Sequence, residues 1–191
     1  MPLDTRALLA QTGALLTGHF RLSSGLHSEN YVQCALLLEQ PRDAKAIGEA
    51  LAERIRPFGA AKIVAPALGG VIVGYTVAEA LGVPFVFTER KEGQMTLRRG
   101  FRLGEGERVV IVEDVVTTGK STRETADVVT QHGGVVAGFA SILNRSGKAN
   151  PFGESPYEAL LALDFETYDE RACPLCAKGV ALDAPGSRFS K

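Results

Sequence analysis

The chain has 191 residues, 45% of them hydrophobic and 23% charged, with a formal net charge of −1 at pH 7. That profile fits one soluble globular domain with enough core to fold alone. It gives no reason to expect nucleic acid as a partner, and no apolar run approaches the length needed to cross a bilayer. Residues 1–10 lack the basic start and long apolar stretch of a secretory signal, so a cytoplasmic protein without membrane attachment is expected.

Residues 3–16 carry apolar side chains at helical spacing, ending near Gly18, and predict a short amphipathic helix. Residues 20–33, FRLSSGLHSENYVQ, read as two extended pieces flanking a Ser-Ser-Gly turn, a hairpin-like feature. Pro41 opens a helix with the apolar stripe Ala44, Ile47, Leu51 and Ile55, and Pro57-Phe58-Gly59 stops it. From Lys62 the pattern changes to short continuous apolar runs at 63–65, 85–87, 109–112 and 135–143, with crossover helices expected at 70–81 and 121–131. Continuous rather than alternating apolar character marks strands covered on both faces, so an α/β fold with a mostly parallel sheet flanked by helices is predicted. Residues 91–106, rich in glycine and charge, are the expected mobile loop, and 157–163 reads as either strand or helix. The expected organisation is a single domain over 1–191: a small N-terminal part at about 1–36, a core at about 40–165 and a C-terminal tail at about 166–191.

Three cysteines cannot make a disulfide framework. The pair in Cys173-Pro174-Leu175-Cys176 has the spacing of half a zinc site, but a second pair is missing, and only Cys34, His19, His27 and His132 remain to complete four ligands. A redox pair would normally open a helix after a strand, whereas this one lies in a Pro/Gly-punctuated tail. Structural, metal and redox roles stay open. Cys34 reads as core filler.

The most informative stretch is 109–122, VVIVEDVVTTGKST. Its ending, Gly119-Lys120-Ser121-Thr122, is that of a nucleotide-binding P-loop, but the second glycine such a loop needs is replaced by Asp114, whose carboxylate would face the phosphates. In an open parallel sheet, ligands bind beyond the carboxyl ends of the strands. Glu113 and Asp114 stand at such an end, and Thr117-Thr118-Gly119-Lys120-Ser121 leads into a helix whose N–H groups and hydroxyls suit a phosphate monoester. Adjacent carboxylates repel a phosphate yet accept hydrogen bonds well from a vicinal diol. A sugar phosphate satisfies both halves; the plain alternative is a Walker B strand or an ordinary solvated strand end.

VVIVEDVVTTGKST resembles the phosphoribosyl diphosphate (PRPP) signature of the type I phosphoribosyltransferases: four hydrophobic residues, two acids, then a Thr-x-Gly turn. Within that group the chain is similar to the orotate phosphoribosyltransferases. FRLSSGLHSENYVQ looks like their hood segment, Glu89-Arg90-Lys91 like the start of their catalytic loop, and Leu143-Asn144-Arg145 like their orotate-binding strand end. The resemblance implies the type I fold with its small N-terminal hood, and transfer of phosphoribose from PRPP to orotate. It implies that Glu113, Asp114, Val115, Val116, Thr117, Thr118, Gly119, Lys120 and Ser121 bind PRPP, with Thr117 also touching orotate, and that Gly69 belongs to the diphosphate loop. Tyr31 and Val32 would contact the pyrimidine, and Arg145 would pair with the orotate carboxylate, a bidentate geometry that a guanidinium fits. Arg90 and Lys91 would bind pyrophosphate, partly across a homodimer interface. His27 would either approach the pyrimidine or simply pack.

The pattern departs from the family at three charged positions. Many members have lysine where this chain has Ser23, Lys-Gly where it reads Leu68-Gly69-Gly70, and Lys-x-His further into the loop, where it has Gln94-Met95-Thr96-Leu97-Arg98-Arg99. Arg98 and Arg99, with backbone N–H groups of residues 67–70, are expected to substitute. Magnesium is expected to arrive on PRPP, without a protein metal cage. Loop 91–106 is expected to close over the site and exclude water. A purine or uracil transferase would share the PRPP turn but lack the pairing of Arg145 with the hood. A nucleic-acid-binding regulator on the same fold would have no use for Arg90 and Lys91.

Overall fold

Asp4 caps the first helix, α1 (Thr5–Gln11), accepting a hydrogen bond from the Ala7 N–H at 2.9 Å. The structure, a computed structural model, describes residues 3–22 and 24–185, so Ser23 lies outside the described residues. Gly13, at φ +65°, turns the chain earlier than the expected stop near Gly18. Leu15 and Leu16 then pair with Val32 and Tyr31, placing them in β1 (Leu15–Arg21), antiparallel to β2 (His27–Val32). Apolar residues at 14–16 fit either a helical stripe or a strand, and the cross-strand pairing wins. An antiparallel pair is the expected one, but its first strand starts at Leu15 rather than Phe20.

A single turn, α2 (Cys34–Leu37), leads to α3 (Pro41–Ile55), whose buried face is the predicted stripe of Ala44, Ile47, Leu51 and Ile55. A 3-10 turn at Arg56–Phe58 and left-handed Gly59 end it. There follow β3 (Lys62–Pro66), α4 (Gly69–Leu81), β4 (Phe85–Lys91), β5 (Gln94–Leu97), β6 (Arg108–Val116), α5 (Lys120–Gln131), β7 (Val135–Asn144) and β8 (Tyr157–Ala162). The six strands from β3 to β8 form one sheet in the order β5-β4-β3-β6-β7-β8, parallel except for β5. Alternation explains why the β6 run is apolar throughout: Val110 and Val112 pack with the core beneath α3 and α4, while Val109 and Ile111 pack with Val129 of α5. Each fully buried side chain of this kind contributes about 1.5–3 kcal/mol.

Two expectations change. Residues 91–106 are not wholly an irregular loop, because β4 and β5 pair antiparallel through a turn at Glu92 and Gly93, both at positive φ. That backbone matches the twist of a tight hairpin, so the glycine that suggested mobility serves a two-residue turn. The ambiguous segment at 157–163 is settled as β8, hydrogen-bonded in parallel to β7.

Beyond β8 the tail returns to the hood. Strand β9 (Thr167–Tyr168) pairs with β2 to complete a three-stranded sheet, and a short helix, α6 (Pro174–Ala177), follows. Asp183 then bridges β1, its carbonyl accepting from Arg21 N–H and its N–H donating to the His19 carbonyl, both at 2.8 Å. Among the described residues no helix is long and apolar enough to cross a membrane.

Candidate active site

The chain runs outward through the sheet in one direction from β3 to β4 and in the other from β6 to β7, which makes β3/β6 the switch point. Open α/β sheets hold ligands in the crevice outside the carboxyl ends of such strands. A cavity of about 630 Å³ opens there, walled by the ends of β3 and β6, the start of α5, the hood and the tail. It is large enough for a nucleotide-sized ligand.

Glu113 and Asp114 are the last polar pair of β6, and both line this cavity. The Glu113 carboxylate is fixed at both oxygens: Oε1 accepts from Asp114 N–H at 3.3 Å and Oε2 from the Ser121 hydroxyl at 3.2 Å. Asp114 Oδ1 accepts from Val115 N–H at 2.7 Å. Burial, then the neighbouring Asp114 charge, raises the Glu113 carboxyl well above the usual range; burial raises Asp114 as well. The pair therefore holds a proton more tightly than two solvated carboxylates would. Gly69, at the head of α4, leaves room for Asp114, since a Cβ there would stand 2.5 Å from Oδ2.

Val115, Thr117, Thr118, Gly119, Lys120 and Ser121 carry the wall onward into α5. Gly119 adopts φ +70°, which presents successive N–H groups at the positive end of α5. Arg123, not singled out from the sequence, braces this turn by donating to the Thr118 carbonyl at 2.6 Å and the Pro151 carbonyl at 2.7 Å, with its guanidinium over Phe152. Val116 does not line the cavity. Its side chain is in the core, and its carbonyl accepts from Arg145 N–H at 2.8 Å.

Arg145, Tyr31 and Val32 form the opposite part of the lining with Phe165, between β8 and β9. The Arg145 guanidinium stacks 4.5 Å over the Phe165 ring, and its buried Nε has no hydrogen-bond partner among the described residues. A buried guanidinium N–H without an acceptor is costly, so an anionic group placed in this corner would relieve that cost. Burial, then Asp114, raises the Tyr31 phenol, while Arg145 lowers it. Phe165 had no signal in the sequence, because an isolated aromatic near the end of the core resembles any other core residue. Cys34 is buried, as expected, though it also touches the cavity. His27 does not.

The basic cluster stands apart from the cavity lining. Arg90 bonds to Glu124 of α5 and to the Gly93 carbonyl, Lys91 is exposed, and Arg98 and Arg99 pair with Glu89 at 3.3 and 3.0 Å.

A phosphoribosyl transferase domain matches residues 35–161. The chain is 49% identical over 97% of its length to orotate phosphoribosyltransferase of Carboxydothermus hydrogenoformans, covering 98% of that protein. The chain belongs to the orotate phosphoribosyltransferase family. A second relative, from Thermotoga maritima and with the same name, is 47% identical over 97% of this chain and 99% of its own length. Among solved structures, Mycobacterium tuberculosis orotate phosphoribosyltransferase in complex with 5-phospho-α-D-ribosyl 1-diphosphate superposes with a TM-score of 0.65 at 26% identity, over 84% of this chain and 97% of that one. The type I phosphoribosyltransferase fold expected from the signature is thus that of the family to which the chain belongs.

Proposed function

We infer that the chain transfers the 5-phosphoribosyl group from PRPP to orotate, giving orotidine 5′-monophosphate and pyrophosphate, a step of de novo pyrimidine (UMP) biosynthesis. One observation carries this reading. A single cavity joins an acid pair, a phosphate-type turn and a half-buried guanidinium whose Nε lacks an acceptor among the described residues.

In this reading the 5′-phosphate lies against the N–H groups and hydroxyls of Thr117 to Ser121, and the ribose diol donates to Glu113 and Asp114. Arg145 pairs with the orotate carboxylate, while Tyr31 and Val32 hold the pyrimidine from the hood. The bond from C1 of ribose to the diphosphate oxygen breaks and the bond from C1 to N1 of orotate forms, through an oxocarbenium-like state that needs no protein nucleophile. The chain's work is to hold N1 in line with C1 and to steady the charge leaving on pyrophosphate. Arg90 and Lys91, with Arg98 and Arg99, supply cations for that charge, and backbone N–H groups of residues 67–70 supply donors.

Carboxylate oxygens at Glu113 and Asp114, which line the cavity, are hard donors. That donor set fits Mg2+ carried on the diphosphate and keeping most of its water. When bound, magnesium supplies charge neutralisation to the leaving diphosphate. The enzyme works as a cytoplasmic homodimer in this reading. Exposed Ile72 and Tyr75 on α4 offer an apolar face, and a second copy would bring Arg90 and Lys91 to the partner's diphosphate.

A base-competition assay tests the assignment: PRPP and Mg2+ with orotate, uracil, adenine or hypoxanthine, reading pyrophosphate release. Release with orotate at least about 100-fold faster than with any other base is expected, as a site built around a charged hydrogen bond rejects ligands lacking it. Faster release with a purine, or none with any base, overturns it.

A further inference from the structure

The hood and the tail assemble four metal-type donors away from the cavity. His19 lies on β1, His27 on β2, Cys173 immediately before α6 and Cys176 within it, and their ligand atoms all fall within 4.8 Å of one another. His19 Nε2 stands 2.9 Å from His27 Nδ1, 3.5 Å from Cys173 Sγ and 3.7 Å from Cys176 Sγ. Cys176 Sγ is 3.3 Å from His27 Nδ1. Both histidines and Cys173 are buried, Cys176 is exposed, and none of the four lines the cavity.

Hydrogen bonding alone accounts poorly for this crowding. His19 Nδ1 lies 2.8 Å from the Val180 carbonyl oxygen, so Nδ1 carries the proton and Nε2 is left with one in-plane lone pair. An imidazole nitrogen and two thiols converge on that lone pair, which accepts well from one of them. A cation at the centre would engage all four donors. Zinc takes thiolate sulfur at about 2.3 Å and imidazole nitrogen at about 2.0–2.1 Å, so a tetrahedral site separates nitrogen from sulfur by roughly 3.5 Å. Three of the four nitrogen–sulfur separations, 3.3, 3.5 and 3.7 Å, scatter about that value, and the fourth, His27 to Cys173, is within 4.8 Å. The nitrogen–nitrogen distance of 2.9 Å needs to open by a few tenths of an ångström, toward the roughly 3.3 Å of a tetrahedron.

Charge and donor softness agree. On binding, each thiol gives its proton to solvent, and two thiolates with two neutral imidazoles leave a divalent ion with no net charge, which suits burial. Thiolate and imidazole favour zinc over the magnesium or calcium that carboxylates prefer. The Val180 carbonyl behind His19 is the kind of outer partner that fixes a ligating ring.

We propose that His19, His27, Cys173 and Cys176 bind one Zn2+ in a closed, structural site that fastens the C-terminal tail to the hood. Four protein ligands leave no open position for substrate or water, so the ion takes no part in phosphoribosyl transfer. Its effect on the enzyme is mechanical. The same tail carries β9, which completes the hood sheet, and it continues directly from Phe165, which supports Arg145.

The test uses the full-length protein, purified under reducing conditions without chelator and analysed for metal by mass spectrometry. About one zinc per chain is expected, falling to less than about one tenth in Cys176→Ala, whose side chain is exposed, and unchanged in Cys34→Ala, the cysteine outside the cluster. Cobalt loaded into stripped wild type should give the absorption of a tetrahedral sulfur-ligated ion, and Cys176→Ala should lose it. Stripping should also lower the melting temperature of wild type, with Zn2+ but not Mg2+ restoring it. Wild type that retains no zinc after reconstitution and desalting overturns the proposal. So does a Cys176→Ala protein that keeps the same zinc and cobalt spectrum, or a Cys173–Cys176 disulfide in the reduced preparation.

Discussion

Replacing Gly69 by alanine should damage catalysis while leaving the fold intact. The new Cβ would stand 2.5 Å from Asp114 Oδ2 and 2.8 Å from both Cγ and Oδ1, where ordinary contact begins at 3.4 Å. The carboxylate, or the head of α4, must then give way by roughly 0.9 Å, and a misplacement near 1 Å costs on the order of 100-fold in rate. Asp114 cannot withdraw freely, since its other oxygen is held by Val115 N–H at 2.7 Å. Stability should move the opposite way. Gly69 opens a helix and its φ is not in the left-handed region, so alanine there favours the folded state by about 0.4–1 kcal/mol if the clash is relieved locally. Steady-state kinetics with PRPP varied, beside a thermal melt, separate the two effects. We expect kcat/KM for PRPP to fall about 100-fold with the melting temperature unchanged or higher. A variant within about twofold of wild type in kcat/KM would refute the claim that Asp114 must sit where it does to hold ribose.

Arg145→Lys should raise KM for orotate by roughly 10- to 100-fold and leave KM for PRPP nearly unchanged, because an ammonium loses the bidentate contact to a carboxylate; equal effects on both substrates would move Arg145 away from the base. Arg98→Ala and Arg99→Ala remove half-exposed ion pairs to Glu89 and should cost under about 1 kcal/mol of stability. Turnover should nonetheless fall by about tenfold or more, the range of a lost charge contact, and an unchanged turnover abandons their role at the diphosphate. The raised Glu113 carboxyl makes a pH prediction. The folded protein keeps a proton that the unfolded chain releases above about pH 4.5, so stability falls as pH rises from there toward the folded value, by at most about 1.4 kcal/mol per pH unit. Glu113→Gln cannot ionise and should flatten that decline in denaturant titrations from pH 5 to 8; parallel curves would show that Glu113 is already charged in the fold.

Local chemistry was readable where neighbours in sequence remain neighbours in space. The acids at 113 and 114 and the turn at 117–121 sit on one strand end and one helix start, so their place in one cavity followed from the order of residues alone. Helix α3 was equally plain, since its stripe and its proline are both local. Residues 14–16 and 157–163 misled or stayed undecided because a short apolar run fits two periods, and only the strand it meets decides. Phe165 beneath Arg145 was out of reach for a different reason, and so was the choice of His19 and His27, from among Cys34, His19, His27 and His132, as the partners of Cys173 and Cys176. Those partners lie on the tail or just before it, brought to the hood and the β7 end by β9 and α6, and no spacing rule spans such a separation.

The most direct measurement is a crystal structure of the protein with PRPP, Mg2+ and a non-reacting orotate analogue. Ribose oxygens within about 3.2 Å of both the Glu113 and Asp114 carboxylates, with the 5′-phosphate on the N–H groups of 117–121, are the predicted result. A phosphoribose bound elsewhere, or with its hydroxyls turned away from both acids, would contradict it.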